Sequence, residues 1–142
     1  MPYDVNLAAQ DANKWTWMNF KPDECRKNRW DQQTGVGLLK ANFMDKLQVM
    51  RTSIGQPFVI TSAFRGPEYN QLVGGKKESK HLLGHAVDIQ CNGELAAMIA
   101  HFVLHNNMFN GLGVYQSGDW KSRFLHVDDA HGGHGYPVIW SS

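Results

Sequence analysis

Two short segments far apart in the chain constrain the fold most, because together they carry the side chains of a metal site. The first is Ser-Lys-His-Leu-Leu-Gly-His-Ala-Val-Asp at residues 79–88, and the second is His-Val-Asp at residues 126–128. His81, Asp88 and His126 supply two imidazoles and one carboxylate, a ligand set typical of catalytic zinc with its fourth position open to water. Structural zinc is usually closed by cysteines, and this chain has only two. We therefore predict a fold that joins both segments around one catalytic metal ion.

The alternation of side chains along a strand predicts how these residues are presented. Successive side chains point to opposite faces, with a period of two. If both segments are strands, Asp88 lies on one face, and His126 and Asp128 lie on that same face of the neighbouring strand. The core-facing residues are then Val87, Ile89, Cys91, Leu125 and Val127. Two strands are expected to converge on one metal ion.

The order of these residues resembles a known enzyme family. Ser-x-His-x-x-Gly-x-Ala-x-Asp, followed at a distance by His-x-Asp, is similar to the zinc D-alanyl-D-alanine carboxypeptidase family, whose relatives include phage endolysins. The likeness extends to Ile-Thr-Ser-Ala-Phe-Arg-Gly-Pro at residues 60–67, to Tyr-Asn at residues 69–70 and Val-Gly-Gly at residues 73–75, and to the lead-in Phe-Lys-Pro-Asp-Glu-Cys at residues 20–25. It covers residues 20–128 in all.

The remaining pattern predicts an α+β fold. Apolar residues recur at helical spacing over 39–54 and 95–102, and β-rich runs lie at 58–62, 86–91, 111–115 and 124–128. Such mixing favours a small antiparallel sheet with helices packed on one face, which is also the hedgehog/DD-peptidase-like fold that the resemblance implies. We expect residues 1–142 to form a single zinc peptidase domain, with residues 1–19 as a lead-in and residues 130–142 as a Gly/His-containing tail.

The chemistry of zinc requires further residues at the site. Bound zinc lowers the pKa of its water toward ~7 and polarises a carbonyl, but a general base is still needed. Asp128 is the candidate because the alternation places it beside His126. Other members of the superfamily carry an acid three residues before the last histidine, where this chain has Arg123, and Asp119 is the alternative base. The resemblance also points to Arg65, whose guanidinium would hold a substrate carboxylate or a developing oxyanion.

Several reactive side chains are expected to have structural roles. Cys25 and Cys91 should be free thiols, and the alternation sends Cys91 to the core and away from the metal. Ser79 should support the ligand loop by hydrogen bonding and not act as a nucleophile. Tryptophans that could line a sugar-binding groove are better explained by packing of the amino-terminal segment; these are Trp15, Trp17 and Trp30.

The other polar residues near the motifs are expected to lie away from the metal. His85 occupies a variable position of the first motif and should be exposed. Asp129 should face away from the site if the strand continues. His131 and His134 could form a second metal site in the tail, but two imidazoles among glycines are a weak indication.

The resemblance implies an enzyme that cuts bacterial peptidoglycan stem peptides. Family members either remove a terminal D-alanine or split the L-alanyl-D-glutamate bond. Neither a secretory signal nor a run of ~20 apolar residues is found, so we expect no membrane insertion and a location in the host cytoplasm. This favours a phage endolysin that reaches the wall after the membrane is permeabilised. A formal net charge of +1 without a Lys/Arg run argues against nucleic acid as a partner, and we expect a monomer.

Two alternatives stay open. One is a bacterial carboxypeptidase or dipeptidase that acts on D-Ala-D-Ala. The other is a non-catalytic zinc-binding module, because hedgehog signalling domains share this fold and serve in binding. The ligand set suits Zn²⁺ and does not exclude manganese or cobalt.

Overall fold

A mixed sheet and two helices make up the part of the chain that the computed structural model describes, which is residues 16–21, 40–63, 84–129 and 137–141. In chain order the elements are α1 (Ala41–Ile54), β1 (Val59–Ser62), β2 (Ala86–Gln90), α2 (Gly93–His105), β3 (Gly111–Tyr115), a 3-10 turn (Trp120–Ser122), β4 (Phe124–Asp128) and β5 (Val138–Ser141). The predicted α+β class is confirmed. None of the helices in these ranges has the length and apolar character needed to cross a membrane.

Helix α1 follows the predicted apolar spacing. Phe43, Leu47 and Met50 are fully buried, since steps of four and three keep them on one side of the helix. Gly55 ends the helix in a left-handed conformation with φ 73°, and its N–H donates to the carbonyl of Arg51 at 3.0 Å. Glycine adopts this conformation without the steric cost of a Cβ, so the helix ends where the sequence predicts.

The sheet has the strand order β1-β2-β4-β3-β5. The first four strands in this order pair antiparallel, as predicted, whereas β5 pairs parallel with β3. The sheet is therefore mixed, where the sequence predicted an antiparallel one, and Val138–Ser141, within the segment that the sequence assigned to a tail, forms its edge strand. Its Val-Ile-Trp run has high strand propensity, and the N–H of Val138 joins the sheet by donating to the carbonyl of Asn110 at 2.9 Å.

An apolar core lies on the helix side of the sheet. It contains the buried residues of both helices and every strand residue that the alternation assigned to the core, namely Val87, Ile89, Cys91, Leu125 and Val127. The opposite face of β2 and β4 carries Asp88 and His126, so the site lies on the face that these helices leave open. The predicted facing of both strands is confirmed.

Two side chains that were assigned to packing are indeed in the core. Burial raises the pKa of the Cys91 thiol to about 11, although a backbone hydrogen bond from Leu125 opposes the shift. Cys91 is therefore a neutral thiol and not a metal-binding thiolate. Trp17 is almost fully buried, and its indole N–H donates to Asp45 Oδ1 at 2.9 Å.

Candidate metal centre

The pairing of β2 with β4 places two predicted metal ligands side by side. Asp88 and His126 are directly opposite each other in the antiparallel register. Side chains of opposite residues share one face, with their Cβ atoms about 5 Å apart. Asp88 Oδ1 lies 3.0 Å from His126 Nδ1, so the strand register alone brings the carboxylate to the imidazole.

This pair fits two ligands of one zinc ion. Zinc binds nitrogen and oxygen ligands at about 2.0–2.2 Å in tetrahedral geometry, which puts two ligand atoms roughly 3.3 Å apart. The observed 3.0 Å is close to that separation. The side chains of His126 and Asp88 are 13% and 15% exposed, so an ion between them keeps a route to water. A catalytic metal needs such a route.

The third predicted ligand, His81, lies outside the described residues. Within the ranges that the structure does describe, no group of three or more histidine, cysteine, aspartate or glutamate side chains is arranged to hold a metal. The prediction of a three-residue ligand set is therefore untested for His81. The other two predicted ligands, Asp88 and His126, are brought together.

The second ring nitrogen of His126 contacts Asp128. Its Nε2 lies 2.8 Å from Asp128 Oδ2, because the two residues are two apart on β4 and share a face. The Asp128 side chain is 0% exposed. It packs against Gly111 on β3, where an added Cβ would lie 2.4 Å from Asp128 Oδ2. The absence of a side chain at Gly111 thus provides the space that the carboxylate occupies.

The two carboxylates beside His126 differ in their access to water, and this difference indicates the metal side of the ring. Asp88 is partly exposed on the Nδ1 side, whereas Asp128 is completely buried on the Nε2 side. A catalytic zinc ion keeps one coordination position for water or substrate. The arrangement therefore suits a metal at Nδ1 with Asp88, and leaves Asp128 on the opposite side of the imidazole.

The surroundings of His126 favour its charged form when no metal is bound. Burial by itself lowers the pKa of His126, but hydrogen bonds to Asp128 and Asp88 and the charges of both carboxylates outweigh it and raise the pKa to about 9. At neutral pH both ring nitrogens then carry protons and donate to the two carboxylates. A metal ion at Nδ1 would take the place of one of these protons, because a ligating histidine is neutral.

A second charged cluster lies on the other side of β4. Asp129 faces away from His126, as predicted, and its carboxylate lies 2.8 Å from both Lys46 Nζ and His85 Nδ1. The N–H of Asp129 also donates to the carbonyl of His85 at 3.2 Å. His85 was expected to be exposed, but it is half-buried because Asp129 pairs with it. The cluster ties the residue before β2 to helix α1 and to the end of β4.

Aromatic residues flank the open side of His126. The rings of Trp140 and His126 have their centroids 5.3 Å apart, and the indole N–H of Trp140 donates to the hydroxyl of Tyr115 at 3.1 Å. Trp140 and His126 both pair with Gly113 in the sheet, where an added Cβ would lie 2.8 Å from Trp140 Nε1. Sequence reasoning missed Trp140 because it assigned residues 130–142 to a tail. The alternate glycines at 111 and 113 were the available signal, since a glycine within a strand often marks a close approach.

The loop before β4 has structural contacts of its own. Arg123 occupies the position where relatives carry an acid, and its Nε donates to the carbonyl of Gly118 at 3.1 Å while its guanidinium lies 4.9 Å above the Trp120 ring. Asp119, the alternative base, is exposed and precedes the 3-10 turn. Its carbonyl accepts a hydrogen bond from the Ser122 hydroxyl at 2.7 Å.

The remaining predicted site residues lie outside the described ranges. These are Arg65, Ser79, His131 and His134, and Cys25 joins them. Their assigned roles stay predictions.

Comparison with known proteins identifies the family. The sequence profile described as peptidase M15 matches residues 18–128, a span that includes Asp88, His126 and Asp128. The chain belongs to the peptidase M15 family. A zinc D-Ala-D-Ala carboxypeptidase of Streptomyces albus G is 30% identical to this M15 family member over 100 residues, which are 70% of this chain and 36% of that protein. The resemblance to the zinc carboxypeptidase family is thereby confirmed.

Proposed function

We propose that this chain is a zinc-dependent peptidase that hydrolyses stem peptides of bacterial peptidoglycan. The observation that carries the proposal is the 3.0 Å pairing of Asp88 Oδ1 with His126 Nδ1 on the open face of the sheet. Membership of the peptidase M15 family and the name of the Streptomyces albus G relative support the reaction and the metal.

The ligand roles follow from the chemistry of the side chains. Asp88 and His126 Nδ1 would hold the zinc, and His81 would complete the set that the sequence predicts. When bound, zinc supplies an acidified water and polarises the scissile carbonyl. Arg65 retains its predicted role as the group that binds a substrate carboxylate or oxyanion.

The sequence and the geometry indicate different roles for Asp128 in the reaction. The sequence predicts Asp128 as general base. A general base has to come within hydrogen-bonding reach of the proton that it removes, directly or through one water. Asp128 is buried at Nε2, across the ring from Asp88, which favours a role in orienting the imidazole.

Two bonds are candidates for cleavage. The name of the Streptomyces albus G relative favours removal of a terminal D-alanine, whereas the likeness to phage endolysins favours the L-alanyl-D-glutamate bond. We propose the endolysin as the physiological role, with the enzyme acting on the wall from the host cytoplasm after membrane permeabilisation. Because the chain covers only 36% of the relative's length, the bond is to be decided by experiment.

The test is digestion of purified wall sacculi and of short D-Ala-D-Ala peptides by the zinc-loaded protein, with mass spectrometry of the released fragments. New amino termini on D-glutamate indicate the endopeptidase, and released D-alanine indicates the carboxypeptidase. We expect His126→Ala to lower the rate more than about 100-fold, because it removes a ligand and not only a residue supporting one. His101→Ala, an exposed histidine on α2, is the matched control and should retain full activity. A zinc-loaded protein that cleaves neither substrate contradicts the proposal.

A further inference from the structure

We propose that Asp128 is a positioning residue that holds the imidazole of His126 so that Nδ1 faces Asp88 and the metal. The inference rests on the proposed function, because it requires a zinc ion at Nδ1. It replaces the role of general base that the sequence suggested for the same carboxylate.

The position of the Asp128 carboxylate relative to His126 is the first evidence for this role. Asp128 Oδ2 lies 2.8 Å from His126 Nε2, on the side of the ring opposite Asp88. The side chain of Asp128 is 0% exposed, so it does not share the solvent-accessible space in which a metal-bound water would stand. Metal-binding histidines usually donate their second N–H to a carboxylate or carbonyl, which fixes the tautomer and the orientation of the ring. Asp128 has this geometry.

Strand β3 keeps the carboxylate in place. Asp128 pairs with Ala86 on one side and with Gly111 on the other, and its carbonyl accepts the N–H of Asn110 at 3.0 Å. A Cβ at Gly111 would lie 2.4–2.5 Å from the carboxylate atoms of Asp128. The carboxylate therefore rests directly on the backbone of β3, where it has little room to turn toward the open face.

Strand β5 restricts the imidazole from another direction. The Trp140 ring lies 5.3 Å from the His126 ring and is held by its hydrogen bond to the Tyr115 hydroxyl. An aromatic ring at this distance limits rotation of the imidazole about its side-chain bonds. Asp128 thus fixes Nε2, and Trp140 packs against the ring that Asp128 orients.

The two roles of Asp128 predict opposite patterns of zinc affinity and turnover. Loss of a residue that supports a metal ligand typically weakens metal binding 10–100-fold. Loss of a general base typically lowers turnover by 10²–10⁴-fold and leaves metal binding intact. Measuring both quantities on one variant therefore separates the roles.

The experiment compares the wild-type protein with Asp128→Asn, which keeps the shape of the buried side chain. Zinc dissociation constants are measured by competition with a chelator, and kcat is measured at saturating zinc. We expect a zinc dissociation constant about 10–100-fold higher, with kcat at saturating zinc within about tenfold of wild type. An unchanged dissociation constant overturns the proposal, whether or not kcat falls.

A second variant leaves the carboxylate in the chain. Gly111→Ala adds a Cβ where the Asp128 carboxylate now rests, so the carboxylate must move away from His126. We expect weaker zinc binding here too, in protein shown by circular dichroism to be folded. Asp129→Asn is the matched control, because this neighbouring carboxylate pairs with His85 and Lys46 on the other side of the strand. Its zinc affinity should equal that of wild type, and an equal loss in this control would contradict a specific role for Asp128.

The readouts also separate this inference from the proposed function. A wild-type protein that binds zinc but cleaves no wall peptide refutes the proposed function, while the dissociation constants of the variants still test the role of Asp128. A wild-type protein that binds no zinc refutes both.

Discussion

The two faces of strands β2 and β4 have opposite chemistry although their residues alternate along the same short stretches of sequence. The helix-covered face is built from fully buried apolar side chains, among them Val87, Leu125 and Val127. The open face carries Asp88 and His126, which hydrogen-bond to each other. Burial of the apolar face is the larger source of free energy, at about 25 cal/mol per Å² removed from water. Core packing sets the register, and the register in turn places the predicted metal ligands Asp88 and His126 side by side.

The largest effect on stability is expected on the covered face. Leu125→Ala should lower the free energy of unfolding by about 2–5 kcal/mol, because it leaves a cavity in a fully packed core. Urea denaturation of the metal-free protein measures this value. Val59→Ala is the control, since this apolar side chain on β1 is 54% exposed, and it should change stability by less than about 0.5 kcal/mol. Similar losses in the two variants would show that the covered face is not the dominant source of stability.

The open face should make the stability of the metal-free protein depend on pH. In the metal-free protein the pKa of His126 is raised from 6.5 to about 9, so its contribution to stability is complete below pH 6.5 and is lost as the pH rises through 9. The shift corresponds to roughly 3 kcal/mol. Denaturation series at pH 6 and pH 9.5 measure the loss, and His126→Gln should flatten it. Zinc-loaded protein should show a smaller loss, because the metal takes the place of a proton. A metal-free protein that is equally stable at both pH values would refute the raised pKa.

The smallest effect is expected at the aromatic flank. Gly113→Ala places a Cβ 2.8 Å from Trp140 Nε1 and from Tyr115 Cε2, so both rings must shift. Such overpacking typically costs about 1–3 kcal/mol. The free energy of unfolding measures the cost, and a change in tryptophan fluorescence that is absent in the double variant with Trp140→Phe assigns it to this ring. Unchanged stability would mean that the flank adapts freely and does not restrain His126.

Local patterns predicted most of the central sheet and the face on which Asp88 and His126 lie. The period of two predicts the face on which Asp88 and His126 lie, because the apolar residues next to each of them in its own strand have to be buried. Helix α1 and its end at Gly55 also followed from spacing and glycine conformation. These features depend on residues close together in sequence, so one segment at a time suffices to predict them.

What the sequence did not predict depends on pairs of distant strands. Strand β5 joins the sheet through a parallel pairing with β3, and the glycine-rich residues before it gave no sign of that partner. The burial of Asp128 depends on Gly111, which comes from another strand. The alternation of side chains along a strand gives the face on which a carboxylate lies, but the neighbouring strand determines whether water reaches it.

The alternation within β2 and β4 also limits which length changes this protein tolerates. A single residue inserted within either strand, before its polar residue, would move every following side chain to the other face of the sheet. Asp88 or His126 would then point into the apolar core, and the neighbouring leucine or valine would point to the solvent. An insertion in the exposed loop at residues 117–119 leaves that phase untouched. Libraries that vary chain length should therefore yield folded proteins with the Asp88–His126 pair intact when the insertion lies in the loop, and almost none when it lies within the strands.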